Sequence, residues 1–497
     1  MSKVKPGDKV AQFQKLMKTK MSTMAIQAGQ ECLEADPSND EVRFALSVCY
    51  FESSDYHASL NLVEELISRK PDDQRYLYQA SHCCLRSGFR DEAIGYAKRF
   101  EKHVPLERAL CLYSDIYERN GMLGEARECV DRLEAIDTLK RPIYLRFLKS
   151  RLLIQEKEYG AAIDALNAAI EVCRASTEVE QSENLLAELH FSLVKVYDRS
   201  GDYDKAWAAA EAAHAAANYP KWSAEAYDRR NRGMIELMTP EFIKSLAVSS
   251  ETAECPVLIV GNPRSGTSLM EQILSMHPQV SNAGELSVSV LMQQRLQFMT
   301  DSFLSWPECL IDMRQDDVNA LAGMYAEATR RAAVGGGTHI SNKVLTLQYQ
   351  LGFLSVVLPN AKAVNLRRHP LDNCVSCFTT NIAGSGHHYA GDIENLGKAW
   401  ISRRKLQDYW PTVLDMPILE LHYENLVANQ EAETRRLLEF LEVPWNDDCL
   451  QFHKSSRVAA TISYDQVNQK MYTSSSGRWK RYEKHLGPLI DLLEDYL

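Results

Sequence analysis

The sequence predicts a stack of helical hairpins followed by an α/β domain whose central parallel sheet carries a phosphate loop. Three observations predict it: prolines spaced 34 residues apart, a helix-turn phrase that recurs along the first half, and a β-branched strand running directly into a Gly-bearing loop and a helix. The chain's 497 residues exceed one core, since roughly 100–200 residues make a domain. With 56 Lys and Arg against 67 Asp and Glu, the formal charge is −11. That excludes a broad nucleic-acid-binding surface, which needs a surplus of cations, but leaves room for a local basic pocket. Charged residues at 25% and hydrophobics at 45% are ordinary globular values and exclude a disordered chain.

The helical array comes first. Pro37, Pro71 and Pro105 each end one amphipathic segment and open the next. Between them recurs a polar or Gly turn, an aromatic or apolar residue, then a small residue: SSDYHAS from Ser53, RSGFRDEA from Arg86, RNGMLGEA from Arg119, EKEYGAA from Glu156 and RSGDYDKA from Arg199. A single helical hairpin buries too little apolar surface to fold alone, so stacked neighbours must supply the core. Ala93, Ala126 and Ala206 permit close helix approach, while Gly88, Gly121 and Gly201 fall where a left-handed C-cap is expected. These features resemble tetratricopeptide repeats over about residues 8–218, without the Trp of the consensus. The stretch Cys173 to Leu186 is longer than a standard turn and reads as an insertion. Such an array offers a groove for a protein or peptide partner, or alternatively a packing platform for the second domain.

Residues 219–254 read as a linker, with Pro220, Pro240 and an SSETAE stretch, which sets the domains at 1–218 and 255–497. No run of 18 apolar residues and no secretory h-region is present, so the expected location is cytoplasmic, with no membrane partner. The twelve cysteines are scattered, and the one C-x-x-C, Cys374 to Cys377, lies in an apolar stretch with no second pair, so no metal site is expected.

The second domain opens on PVLIV, Pro256 to Val260, a buried parallel strand by composition. GNPRSGTSLMEQIL follows, Gly261 to Leu274, so a loop's N–H groups and a helix N-terminus point at one anion. Gly261 and Gly266 nearly give a Walker A loop, but Thr267 occupies the position of its lysine and Arg264 supplies the cation earlier. That disfavours an ATP- or GTP-driven kinase. A second basic segment follows another strand: AKAVNL from Ala361 runs into RRHPLDNCVSCF, with Arg368, Pro370 and Ser376 at steps of two and eight. Arg offers a planar fork to phosphate oxygens, and Ser adds a hydroxyl donor.

The P-R-S-G-T-S-L-M loop together with Arg368, Pro370 and Ser376 resembles the sulfotransferases, and most of all the protein-tyrosine sulfotransferases and bacterial relatives with N-terminal repeats. The resemblance covers roughly residues 255–490. It implies 3′-phosphoadenosine 5′-phosphosulfate as co-substrate, with Arg264, Ser265, Gly266, Thr267 and Ser268 at the 5′-phosphosulfate and Arg368 and Ser376 at the 3′-phosphate. In HPQVSNAGE, Glu285 lies twenty-one residues after Arg264 and takes the family's place of catalytic base. Lys343 in HISNK and Ser463, sixteen residues before Trp479, join Arg264 as stabilisers of developing charge. Val344 and Leu345 depart from the family's usual pair, and Thr380 stands where relatives often carry a further Arg. Tyr423 is implied beside the adenine, and Ser476, Gly477 and Arg478 in a strap over the nucleotide.

The acceptor is expected to contact the variable stretches 286–331 and 383–398, the latter with His387 or His388 as a weaker second candidate base. The reading is a sulfotransferase acting on an acceptor hydroxyl, first a tyrosine of a peptide or protein. The alternatives are a carbohydrate or small-molecule hydroxyl, or a non-catalytic repeat scaffold with a nucleotide-binding domain.

Overall fold

The computed structural model describes residues 6–18, 22–136, 142–175, 179–251, 255–454 and 470–497. The first part is a run of helices: α1 (Pro6–Lys18), α2 (Ser22–Ala35), α3 (Asp40–Glu52), α4 (Tyr56–Arg69), α5 (Gln74–Ser87), α6 (Arg90–Glu101), α7 (Leu106–Arg119), α8 (Leu123–Glu134), α9 (Pro142–Gln155), α10 (Tyr159–Arg174), α11 (Val179–Ser200) and α12 (Tyr203–Ala216). Consecutive helices pack on one another, and the caps are local. Asn39, Asp55, Asp73 and Asp202 accept from backbone N–H groups at the starts of α3, α4, α5 and α12. Gly88, Gly121 and Gly201 adopt φ of 83°, 71° and 86°, the left-handed conformation that ends a helix without a Cβ penalty. Ala93, Ala126 and Ala206 are fully buried where helices meet. The Cys173–Leu186 stretch, read as an insertion, spans the end of α10 at Arg174 and the start of α11 at Val179, with residues 176–178 outside the described ones. Its residues carry no Gly or Pro, so the extra length extends α11 to 22 residues.

Residues 219–254 hold two helices, α13 (Ala224–Leu237) and α14 (Pro240–Ser245). They lie on the second domain, where Met234 and Met238 join its core and Asn231 Nδ2 donates to Ser402 Oγ at 3.0 Å.

The second domain runs β1 (Cys255–Gly261), α15 (Thr267–Leu274), β2 (Val280–Asn282), α16 (Val288–Met299), α17 (Gln315–Ala332), β3 (His339–Asn342), α18 (Leu347–Val357), β4 (Lys362–Arg367), α19 (Pro370–Phe378), α20 (Ile393–Val413), β5 (Ile418–His422), α21 (Tyr423–Ala428), α22 (Gln430–Leu441) and α23 (Gly487–Leu492). Its five strands form one parallel sheet in the order β2-β3-β1-β4-β5. Helices cover both faces, which is why Val257 to Val260 are apolar and buried on both sides rather than alternating. The chain leaves β1 toward one side of the sheet and returns to the other for β4, so the crevice beyond the carboxyl end of β1 is the topological switch point.

The array meets this domain at both ends. Toward its C-terminal end, Leu193, Trp207 and Ala210 share one core with Leu371, Phe378 and Leu486. Trp207 stacks on Phe378 at 4.6 Å and on His485 at 5.1 Å, and His214 Nε2 bonds Phe378 O at 2.9 Å. Near its N-terminal end, Asp55 pairs with Arg331 of α17 at 2.6 Å, and Arg295 of α16 donates to Gln30. A cavity of ≈ 130 Å³ separates the two surfaces there.

Candidate active site

Parallel register brings the two basic segments together. Gly261 pairs with Leu366 across β1 and β4, so the loops that follow emerge side by side at one sheet edge. The first loop turns at Arg264, whose φ of 65° is left-handed, an uncommon and costly conformation for a side chain with a Cβ. Two side chains hold that turn from below through three hydrogen bonds. Asn373 Nδ2 donates to Pro263 O at 2.8 Å, Arg403 Nε to Asn262 Oδ1 at 2.8 Å, and Arg403 Nη2 to Gly261 O at 3.0 Å. Gly266 (φ 103°) then caps α15, and a Cβ there would stand 2.6 Å from the Tyr423 ring. Tyr423 therefore packs on the phosphate loop itself and lies under the Arg368 guanidinium at 4.6 Å. Thr267 opens α15, and Ser265 is buried beneath the turn.

Arg264 Nε donates to Ser376 Oγ at 3.1 Å, joining the two sequence motifs directly. Arg368 donates from Nη1 to Arg264 O at 2.9 Å and from Nη2 to Ser475 O at 2.7 Å, and among the described residues its buried Nε has no partner. The C-terminal strap is pinned to α19 by Asp372, whose carboxylate accepts from Gly477 N at 2.6 Å and Trp479 N at 2.8 Å. Ser476 lies within that pinned turn, and Trp479 stacks on His369 at 5.7 Å. Arg478 binds Asp198 of α11 at 2.9 Å and Thr379 Oγ1 at 3.3 Å.

Lys343 and Glu285 stand on the other side of the loop. Gly284 O accepts from Lys343 N at 2.8 Å, and Leu286 O from Asn342 Nδ2 at 3.0 Å, so the segments following β2 and β3 are laced together. This lacing sets Glu285 against Lys343 as an ion pair, and Lys343 Nζ also donates to Ser268 Oγ at 3.2 Å. Lys343 is 2% exposed and Glu285 43% exposed, so the pair presents its carboxylate outward. Ser463 lies outside the described residues.

Arg264, Gly266, Thr267, Ser268, Arg368, Ser376, Tyr423 and Arg478 all line one cavity of ≈ 930 Å³, closed on its far side by the array. Its size is in the range of a small-molecule or cofactor site. The 383–398 stretch forms two short 3₁₀ turns and the start of α20 instead of an open loop, with Gly391 closely approached by Tyr219. Burial, with Arg403 adding, pushes His387 down to about 4, and its Nδ1 is bonded to the Tyr389 hydroxyl at 3.1 Å, which makes it a weak base. Cys374 and Cys377 are buried free thiols on α19; burial pushes Cys377 up to about 12 and Cys374 higher than an ordinary thiol. Among the described residues no cluster of three or more side chains suited to a metal ion is found, and no helix is long and apolar enough to cross a membrane.

Sequence reasoning missed Asp372, Arg403 and Asp198. Asp372 had a signal, an acid in the first turn of a helix opened by Pro370. Arg403 and Asp198 act on partners 141 and 280 residues away, and nothing local marks them.

The switch-point crevice, the left-handed Arg264 turn and the paired basic segments define an α/β phosphate-loop domain fused to helical repeats. Residues 256–447 match the model of the sulfotransferase family. An uncharacterized protein of Aquifex aeolicus is 28% identical over 484 residues, covering 93% of this chain and 60% of that protein. Protein-tyrosine sulfotransferase A of Caenorhabditis elegans is 26% identical over 219 residues (43% of this chain, 56% of that one), and protein-tyrosine sulfotransferase 1 of Danio rerio 26% over 226 (44% and 61%). The chain thus spans between 56% and 61% of the length of these relatives. The sulfotransferase domain of the Synechococcus PCC 7002 olefin synthase covers 50% of this chain and 96% of that one at 19% identity, with a TM-score of 0.35, too loose an overlay to carry weight.

Proposed function

We propose that the protein transfers a sulfuryl group from 3′-phosphoadenosine 5′-phosphosulfate to an acceptor hydroxyl, first a tyrosine of a peptide or protein. The observation that carries this reading is the convergence of Arg264 and Arg368, from two separate strand ends, on one cavity beside the Lys343–Glu285 pair. The residues present suit a doubly phosphorylated nucleotide. Gly266 lets the Tyr423 ring pack directly on the loop, Arg368 retains a buried Nε donor, and the lining is rich in cations. Tyrosine is placed first because relatives matched over the same domain are named protein-tyrosine sulfotransferases.

When bound, the donor supplies an activated sulfuryl group. Glu285 accepts the proton of the attacking hydroxyl, and its exposed carboxylate is reachable by an acceptor arriving from solvent. Lys343 and Arg264 offset the negative charge that grows on the oxygens around sulfur, and Ser463 is assigned the same role. Lys343 is held oriented between Glu285 and Ser268 until the acceptor competes for Glu285. Arg368, Ser376 and Arg478 hold the nucleotide's far phosphate and Tyr423 shapes its bed, with Ser476 and Gly477 assigned to the adjoining strap that Asp372 pins. A cytoplasmic location and a protein partner in the array's groove belong to the same reading.

The test is transfer from labelled donor to a panel of tyrosyl peptides, sugars and phenols. Label on the peptide tyrosine supports the reading. Label only on a sugar or phenol replaces the acceptor, and no transfer to any class removes the activity.

A further inference from the structure

In the sulfuryl-transfer reading Arg264 and Lys343 face one group, yet they follow different strands, β1 and β3. The pairing of these strands ends at Leu258 and Asn342, so the ladder extends into neither loop. One buried side chain reaches both segments from behind. Arg403, in α20, is 2% exposed, and its guanidinium spreads over two sets of oxygens. On the phosphate-loop side, Nε donates to Asn262 Oδ1 at 2.8 Å and Nη2 to Gly261 O at 3.0 Å. On the other side, Nη2 donates to Gln348 Oε1 at 2.9 Å and Nη1 to the Tyr349 hydroxyl at 2.8 Å. Asn262 lies two residues before Arg264, and Gln348 five residues after Lys343.

The connection from Lys343 to Gln348 is tight enough to transmit position. Leu347 N donates to Val344 O at 3.1 Å and Tyr349 N to Thr346 O at 3.0 Å, which folds it into successive turns. Gln348 is fully buried, its Nε2 donates to Arg403 O at 3.1 Å, and Trp410 Nε1 donates to Gln348 O at 2.7 Å, so the start of α18 is fixed to α20. A guanidinium suits this place because its planar fork holds several donors at a rigid spacing, which a Lys ammonium on a flexible stem does not. At the front of the site, Lys343 Nζ meets Ser268 Oγ at 3.2 Å, near the long limit of a hydrogen bond, so a small shift of either segment breaks it.

We infer that Arg403 is a positioning residue that sets the spacing of Lys343 against the Arg264 loop, and so acts on the rate of transfer through Lys343. This rests on the sulfuryl-transfer reading above. A misplacement of about 1 Å caused by a change far from the chemistry can cost on the order of a hundredfold in rate. Arg368 and Ser376 belong to the β4 side of β1, opposite β3, so nucleotide binding should feel the change less.

The test is a kinetic double-mutant cycle on the full chain, run well below each variant's melting temperature, with labelled donor and whichever tyrosyl peptide, sugar or phenol of the panel accepts label. Arg403→Lys should lower kcat at least about thirtyfold, with calorimetric affinity for adenosine 3′,5′-bisphosphate within about threefold of the parent. In a Lys343→Ala background the same change should lower kcat by less than about threefold, because the group it positions is gone. In an Arg368→Ala background it should keep nearly its full effect. A purely structural role would lower the melting temperature and leave the costs additive in both backgrounds. Should Arg403→Lys fail to fold, Gln348→Met/Tyr349→Phe, which removes the α18-side oxygens and leaves Arg403 on the loop, should lose at least about tenfold in kcat at unchanged bisphosphate affinity. Parental kcat in either variant, or an equal loss from Arg403→Lys in the parent and Lys343→Ala backgrounds, overturns this inference and leaves the transfer reading standing. A parent chain that transfers label to no acceptor sinks both.

Discussion

The two ends of the repeat array hold the transferase domain by different physics. The C-terminal end has no boundary with it: Trp207, Phe378 and Leu486 belong to one core, and His214 and Asp198 bond across the junction. The N-terminal end touches through Leu291 of α16, packed on the array's first apolar cluster, and through an ion pair and a hydrogen bond, Asp55 to Arg331 and Gln30 to Arg295, around a small cavity. Hydrophobic burial is large and insensitive to salt, whereas a partly exposed ion pair contributes little. The C-terminal contact, with its larger apolar share, is therefore the stronger of the two. The first adjoins the large cavity at the phosphate loop, and the second adjoins the segment that follows Glu285.

The sharpest way to break this comparison is Trp207→Ala. Removing a ring stacked on Phe378 and His485 should cost about 3–5 kcal/mol, read by urea unfolding, and should loosen nucleotide binding as well. Acid comes next and acts on the array and the tight junction alike. Burial pushes His82 in the array, like His387 near the tight junction, from 6.5 down to about 4. Each contributes stability that is complete above pH 6.5 and is lost as pH falls toward 4, by up to about 3 kcal/mol per group. His82→Gln and His387→Gln should each flatten the fall in melting temperature across that window. Gly266→Ala comes third: a left-handed φ and a ring 2.6 Å away predict a cost of about 1–3 kcal/mol, with a loss of bisphosphate affinity out of proportion to the stability change. Asp55→Asn should be the mildest, about 1 kcal/mol or less, visible chiefly as faster hydrogen exchange in α3 and α4.

Local patterns made much of this legible from sequence. The 34-residue proline step and the left-handed glycines mark the hairpins because each repeat must turn in the same way. The loop around Arg264 was readable because strand, Gly-bearing turn and helix are contiguous, and Arg368 with Ser376 because β4 repeats that layout. The array-side wall was not readable. Lys195, Asp198 and Arg199 look like an ordinary polar helix face, and only the fold brings them to a strap 280 residues away. The Cys173–Leu186 stretch, read as an insertion, contributes the first residues of α11, the helix that reaches the cavity, and nothing local marks that reach. The 383–398 stretch, expected to meet the acceptor, carries turn residues whose packing against Tyr219 has no local signature.

The central claim is that Glu285 performs chemistry at a site built to hold a sulfuryl donor. Initial rates of sulfuryl transfer from labelled donor, measured for the parent chain and Glu285→Gln at matched bisphosphate occupancy, test it most directly. The account predicts a rate at least about a hundredfold lower in Glu285→Gln with nucleotide affinity nearly unchanged. Transfer at the parental rate in that variant would contradict it.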